Sequence, residues 1–445
     1  MEPKMTAWAW IRKAAILVFP RGQFARSAAM LAGGTALGQA ITVLASPILT
    51  RLYTPDDFGV LAVYTSILGI LSVIASLRYE LAIPLPEKDE DAANLLVLSL
   101  GVVVFISLLV SWGIWAWGEQ ITSWAQAPKL KTYLWVLPLG VGIIGAYQAF
   151  NYWAVRKKAF HRIARTKVNQ GFSATAIQIV LGFLKARPLG LLIGHIVGQG
   201  AGTTTLAMLA QREDREALKS VSWKRVCRMA RRYQRYPLLS SISGLINSAG
   251  LQLPSLLLAS FYGLQVAGWF TLGQRVIGAP MGVVGQAVSQ VYIGEAAQLA
   301  RQNPGSLRPL FLKAASRLLV LGMAPLGVLA LGGPWLFTWI FGDSWRDTGI
   351  YMQVLSLMFL VQFVVVPLSQ TLNVLERQDW QLGWDIGRLF IVIGTLLVAH
   401  KLSWSPLWAV AAYGLSMFIS YLFLFGLSLR ALSLRGERTR EDAEH

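Results

Sequence analysis

One cysteine, four histidines and 14% charged residues in 445 positions are the scarcities that first constrain this chain. Cys227 alone cannot form an intramolecular disulfide or a Cys-x-x-Cys metal or redox pair. His161, His195, His400 and His445 fall on separate segments, and neither His-Glu-x-x-His nor Gly-x-Ser-x-Gly occurs, so no metal site and no serine hydrolase site is expected. No Gly-Lys pair occurs, which excludes a P-loop and an ATP-driven pump of that class. The expectation is therefore no catalytic residue, no metal and no cofactor. Ordinary soluble domains carry about 25% charged residues; here 55% of positions are hydrophobic, and water cannot be the solvent for most of the surface.

What is present is a series of long apolar stretches. They run over about 27–50, 58–83, 92–117, 132–155, 166–184, 189–210, 238–261, 264–296, 310–331, 350–373, 381–399 and 404–429. A membrane helix needs about 20 apolar residues, so the pattern predicts an all-α integral membrane protein of about twelve transmembrane helices. The eighth stretch exceeds one span and is expected to tilt or to extend beyond the bilayer. Residues 1–26 hold an apolar run, 14–19, too short to span, and are expected to lie at the cytoplasmic interface.

The charge balance is +18, with 40 Lys and Arg against 22 Asp and Glu. With the N-terminus inside, the cytoplasmic connections collect 30 of the 40 and the outer ones only 7. The positive-inside rule then puts both termini in the cytoplasm and explains the basic balance without nucleic acid. The largest connection, 211–236, carries Lys224, Arg225, Arg228, Arg231, Arg232 and Arg235. It reads as a basic linker on anionic lipid between an N-lobe over 27–210 (helices one to six) and a C-lobe over 237–430 (helices seven to twelve), with a cytoplasmic tail over 431–445. Tyr53, Gly59 and Gly69 recur as Tyr262, Gly268 and Gly278, each displaced by 209 residues, as expected of parallel repeats forming two lobes around a path.

The acidic run Asp89, Glu90 and Asp91 superficially resembles a glycosyltransferase metal motif, but acidic residues before a helix are expected to serve its positive end. The outer connections 118–131 and 332–349 are short for a polymerase site. The second, with Trp335, Trp339 and Trp345, suits an interfacial aromatic belt.

Once Lys167, Lys313 and Arg317 at span ends are tallied with the cytoplasmic connections, three of the 40 basic residues remain inside the expected spans: Arg78, Arg275 and Arg388. Charges there cost several kcal/mol and normally face a cavity or a partner. Arg275 lies about eleven residues into its helix, near the midplane, where a guanidinium fork suits phosphate; an interhelical structural pair is the other reading. Arg388 and Asp385, three apart on one helix face, can neutralise each other. Arg78 and Glu80 lie near a span end. Burial raises a carboxyl pKa toward neutrality, so Glu80 and Asp385 are also candidates for proton coupling. Glycines and prolines punctuate the first, eighth and tenth spans and predict close packing and kinks.

Three motifs are recognisable: Arg51 through Gly59 (RLYTPDDFG), Leu77 through Pro86 (LRYELAIPLP) and Gly273 through Gly282 (GQRVIGAPMG). In these the chain resembles Wzx-type oligosaccharide flippases, in the superfamily that includes the lipid II flippase and the MATE multidrug exporters. The resemblance implies a twelve-helix, two-lobed transporter of the bacterial inner membrane, without enzymatic activity. Its implied cargo is an undecaprenyl-pyrophosphate-linked repeat unit for lipopolysaccharide or exopolysaccharide assembly, with a polymerase and a chain-length regulator as partners. It also implies basic residues in a central cavity, carried here onto Arg78, Arg275 and Arg388. A cation-coupled drug exporter and a membrane sugar polymerase are the rival expectations.

Overall fold

The computed structural model describes residues 23–124, 126 and 128–444, apart from the side chains of 23–29, 209, 212–213 and 435–444. The interfacial segment expected over 1–26 lies outside the described residues except for the first turn of α1, as do most side chains of the 431–445 tail. The described residues form helices and no strand. The first half comprises α1 Gln23–Leu44, α2 Ser46–Leu52, α3 Pro55–Ile74, α4 Asp89–Trp124, α5 Pro128–Lys131, α6 Val136–Arg156, α7 Phe160–Phe183, α8 Leu189–Gly200 and α9 Thr203–Glu213. The connection holds α10 Arg215–Lys219 and α11 Trp223–Arg232. The second half comprises α12 Ser241–Tyr262, α13 Leu264–Gln302, α14 Leu307–Phe341, α15 Arg346–Leu368, α16 Gln370–Val374, α17 Gln378–Lys401 and α18 Pro406–Glu444.

Among the described residues, nine helical segments are long and apolar enough to cross a membrane: this is a multi-pass membrane protein. The other three expected stretches are helical but more polar or broken. α6 carries Gln148 and Asn151, and α7 opens with His161, Arg162, Arg165 and Lys167. The sixth stretch breaks between α8 and α9 at Gly202, whose φ of 97° is a conformation open to glycine. These helices are packed against protein neighbours: α7 lies between α1 and α8, and α6 against α4. α1 and α7 approach at their glycines, where a Cβ on Gly38 would meet the Lys167 carbonyl at 2.3 Å and one on Gly171 the Gly38 carbonyl at 2.2 Å.

The exterior is apolar, as lipid requires. Phe105, Leu108, Trp112 and Trp115 on α4, and Leu331, Trp335 and Trp339 on α14, are exposed. The connection expected over 332–349 is corrected here: α14 stays helical to Phe341 across a kink at Gly332, and Trp335 stacks on Trp339 at 6.2 Å as a helix-borne pair. Helix α13 spans 39 residues, about 58 Å at 1.5 Å per residue, so it overruns the roughly 30 Å hydrocarbon core as its length in the sequence predicts.

The linker end is held by charge. Asp89, at the start of α4, accepts from Arg156 at 2.8 Å and Lys157 at 2.6 Å, and Lys157 also reaches Asp214 at 2.5 Å. Burial works against the Lys157 ammonium, but the hydrogen bonds to Asp214 and Asp89 outweigh it and set its pKa above the ordinary lysine value. Glu90 pairs with Arg225 of α11, whose Val226 and Met229 are buried on the start of α4 while Trp223 is exposed. The acidic triplet thus occupies a helix first turn, as its position implies, and also anchors the linker.

Candidate functional site

The two halves meet along α3. Its start is fixed locally by Thr54, whose hydroxyl and backbone exchange hydrogen bonds with Asp57, and by Pro55 at the first helical position. From there α3 runs beside α12 along its length and crosses α13 at the end remote from the linker. At that crossing no side chains intervene. A Cβ on Gly59 would lie 1.9 Å from the Leu264 carbonyl oxygen, and one on Gly268 1.9 Å from the Pro55 carbonyl oxygen. Next to it the Phe58 ring meets Trp345 edge-on at 5.0 Å, Trp345 Nε1 donates to the Thr50 carbonyl at 3.2 Å, and Arg51 donates to the Ile340 carbonyl at 3.3 Å. This end of the molecule is closed by backbone packed on backbone.

From the closed end toward the linker, α13, α15 and the first residue of α16 border an open cavity of about 310 Å³. Its lining includes Gln274, Gln286, Gln362 and Gln370, with Phe359 and Phe363. On α13, Gln274, Gly278, Gly282, Gln286 and Ser289 recur at helical spacing and so share one face; the glycines leave the space that the glutamines border. A second, apolar cleft of about 490 Å³ opens between α4 and α12, bordered by Ile67, Trp117, Trp124 and Leu256. The Ser260 hydroxyl donates to the Trp124 carbonyl at 2.6 Å across it.

The structure places the sequence-derived residues differently from one another. Arg275, on α13, is half-buried by surface area although protein surrounds it closely. It makes no hydrogen bond or ion pair with a described residue, and its Nε is buried and unpartnered. Its charge acts on His195 of α8, whose ring stands edge-on to Tyr64 at 6.3 Å. A cation from the second half thus lies within electrostatic range of a histidine from the first. The guanidinium of Arg78, a residue at φ 62°, likewise makes no hydrogen bond with a described residue, and its Nη2 lies 2.3 Å from where a Cβ on Gly244 would stand. Glu80 is 2% exposed and accepts from the Ser76 hydroxyl.

Arg388 has its charge met within its own half. It is 6% exposed, pairs with Asp385 at 3.0 Å, donates to Asn247 Oδ1 at 3.2 Å and lies over the Trp384 ring at 4.7 Å. Among the described residues no cluster of three His, Cys, Asp or Glu stands ready for a metal ion. A search for charge in apolar spans passes over the glutamines. Their signal is the recurrence of uncharged polar residues on one face of α13.

Helices alone among the described residues, a glycine seam closing one end, and a glutamine-bordered cavity in the second half accompany a two-lobed membrane transporter fold. The inward-facing conformation of a multidrug resistance MATE family transporter of the MOP superfamily has this fold. It superposes at a TM-score of 0.75 with 14% identity over 90% of this chain and 96% of that one. An outward-facing conformation of a transporter so described superposes at 0.61, with 15% identity over 96% and 99%.

The chain belongs to the polysaccharide biosynthesis protein family, whose sequence profile matches residues 48–349, and is a multi-pass membrane protein. It is similar to the succinoglycan biosynthesis transport protein ExoT of Rhizobium meliloti (strain 1021), 24% identical over 329 residues. That match covers 73% of this chain, which spans 63% of ExoT. It is also similar to the lipopolysaccharide biosynthesis protein WzxC of Escherichia coli (strain K12), 20% identical over 362 residues, 80% of this chain and 71% of WzxC.

Proposed function

We propose that this protein carries a polyprenyl-pyrophosphate-linked oligosaccharide, with undecaprenyl as the lipid, from the cytoplasmic to the periplasmic leaflet of a bacterial inner membrane, by alternating access. The observation that carries this reading is Arg275. A guanidinium near the bilayer midplane is costly, and no described carboxylate offsets it. Its counter-charge then arrives with the cargo, and its fork matches phosphate oxygens. Arg78 is the second cation of the path. Arg388 and Asp385 hold α17 against α12, while Glu80 remains the candidate for proton coupling.

The moving bodies are the lobes 27–210 and 237–430, joined by the basic linker 211–236, with the linker and both termini on the cytoplasmic side by the distribution of Lys and Arg. The better match to the inward-facing relative and the seam at Gly59 and Gly268 support an inward-open state, with the periplasmic end shut. The apolar cleft between α4 and α12 suits the polyprenyl chain, which stays in lipid while its head group enters. The cargo is moved without a bond being made or broken, for lipopolysaccharide or exopolysaccharide assembly alongside a polymerase and a chain-length regulator.

The test is a gene deletion followed by analysis of lipid-linked intermediates. Accumulation of the repeat unit on its lipid, with loss of surface glycan that Arg275→Ala fails to restore, supports the reading. Normal glycan export with the mutant overturns the role of Arg275. Sensitivity to small drugs with no lipid-linked intermediate favours the multidrug exporter that the MATE likeness brings to mind.

A further inference from the structure

We infer that the cavity between α13 and α15 is a subsite for an uncharged sugar of the cargo, read by glutamine amides and not by ionic contacts. The inference rests on the transport reading above and narrows its substrate class: the unit seated here bears no carboxylate, sulfate or phosphate.

The lining contains no Asp, Glu, Lys or Arg. The side-chain amides of Gln274, Gln286 and Gln362 form no hydrogen bond with another described residue. Gln370 uses only its carbonyl, which accepts from Asn373 at 2.7 Å, so its NH₂ is left for a ligand. Polar groups of an apolar span that have no protein partner are costly, and three such amides, with the free NH₂ of Gln370, border one cavity.

An amide offers two donors and an acceptor, and so matches sugar hydroxyls, each of which donates and accepts. A carboxylate only accepts, and desolvating it beside neutral amides is unfavourable unless a cation is near. Phe359 and Phe363 supply the apolar wall for the carbon face of a pyranose. The volume, about 310 Å³, is at the low end of small-ligand sites, the scale of a mono- or disaccharide. Gly282 keeps it open: a Cβ there meets nothing within 4 Å, so a longer side chain is tolerated by the helix neighbours and occupies the cavity instead. Phosphate recognition stays with Arg275, one residue along α13 from Gln274 and so turned to a different face.

The experiment is saturation-transfer NMR on the purified full-length protein in detergent micelles, with methyl N-acetylglucosaminide and lactose as neutral probes and glucuronate and galacturonate as anionic ones. Melting of each variant serves as the folding check. The neutral probes are expected to receive saturation and the uronates not. Gln286→Leu and Gln362→Leu each weaken neutral binding about fivefold, the worth of one neutral hydrogen bond. Gly282→Leu, which keeps every amide but fills the space, abolishes it. Equal saturation of the uronates, or neutral binding that survives Gly282→Leu in folded protein, overturns the subsite. The two readings separate cleanly. A deletion strain without lipid-linked intermediate, whose protein still binds neutral sugars through these glutamines, refutes transport of that cargo and upholds the subsite; accumulation with no sugar binding refutes the subsite alone.

Discussion

Gly59 and Gly268 are reciprocal partners: each lies against the residue four positions before the other, Gly59 against Leu264 and Gly268 against Pro55, both at the carbonyl oxygen. Leu264 follows Pro55 by the same 209 residues that separate the two glycines. Equivalent positions of the two halves therefore touch each other in both directions, the relation expected where a two-fold axis passes between α3 and α13. The contact is free of side chains, so it can close tightly and part without unthreading interdigitated groups.

A side chain at either glycine has nowhere to go. Gly59→Val and Gly268→Val are expected to prop this end apart, disfavouring the closed arrangement by about 1–3 kcal/mol, with helix content retained. Cysteine accessibility checks this: in a background with Cys227 replaced by Ser, Thr54→Cys should react faster with a membrane-impermeant maleimide when Gly268 is Val. Unchanged labelling would place the opening elsewhere.

Arg275 and Arg388 should separate function from stability. Arg275→Ala removes a group with no protein partner, so melting changes little while export is lost. Arg388→Ala strands Asp385 and Asn247 inside the second half and costs about 3 kcal/mol. Adding Asp385→Asn should return part of that loss, because the pair is coupled. Thermal unfolding of the purified variants decides, and equal destabilisation by the two single changes would contradict the distinction.

The glycine contact of α1 with α7 predicts a third outcome. Gly38→Val collides with the Lys167 carbonyl, whereas Gly33→Ala, where a Cβ meets nothing within 4 Å, is tolerated. The first is expected to destabilise by about 1–3 kcal/mol and the second to be neutral or slightly favourable. Comparison of melting temperatures checks the pair.

At the linker end, Lys157→Met should cost about 2 kcal/mol through its lost charged hydrogen bonds. The pH dependence follows from the raised pKa of Lys157. A cation whose folded pKa exceeds its unfolded value contributes its full stabilisation below the ordinary lysine value, and that contribution is lost as pH rises through the folded value. The stability gap between wild type and Lys157→Met should therefore be flat across neutral pH and close only under strongly alkaline conditions. A gap that widened with rising pH would carry the wrong sign.

Much of the architecture is legible in local pattern. Long apolar stretches become helices because a lipid-exposed backbone must satisfy its own hydrogen bonds. The acidic triplet starts α4, and Arg388 finds Asp385 because three residues apart on a helix is one face. Where local pattern fails, tertiary packing intervenes. Residues 332–341 look like a turn-rich connection but remain helical, since α15 packs beside them and supports the kink at Gly332. The glutamines of the cavity look like ordinary polar punctuation until α15 is brought opposite α13.

Sequence alone determined that this chain is a helical membrane protein, roughly where its helices run, and which few cations stand in them, because hydropathy and helical spacing act over neighbouring residues. Only the tertiary structure decided which cation is paired and which is left without a partner, that the Arg275 charge acts on His195 of the other half, and that two distant glycines close one end. Those outcomes depend on which helix faces are brought together, and no property of a single segment carries that information.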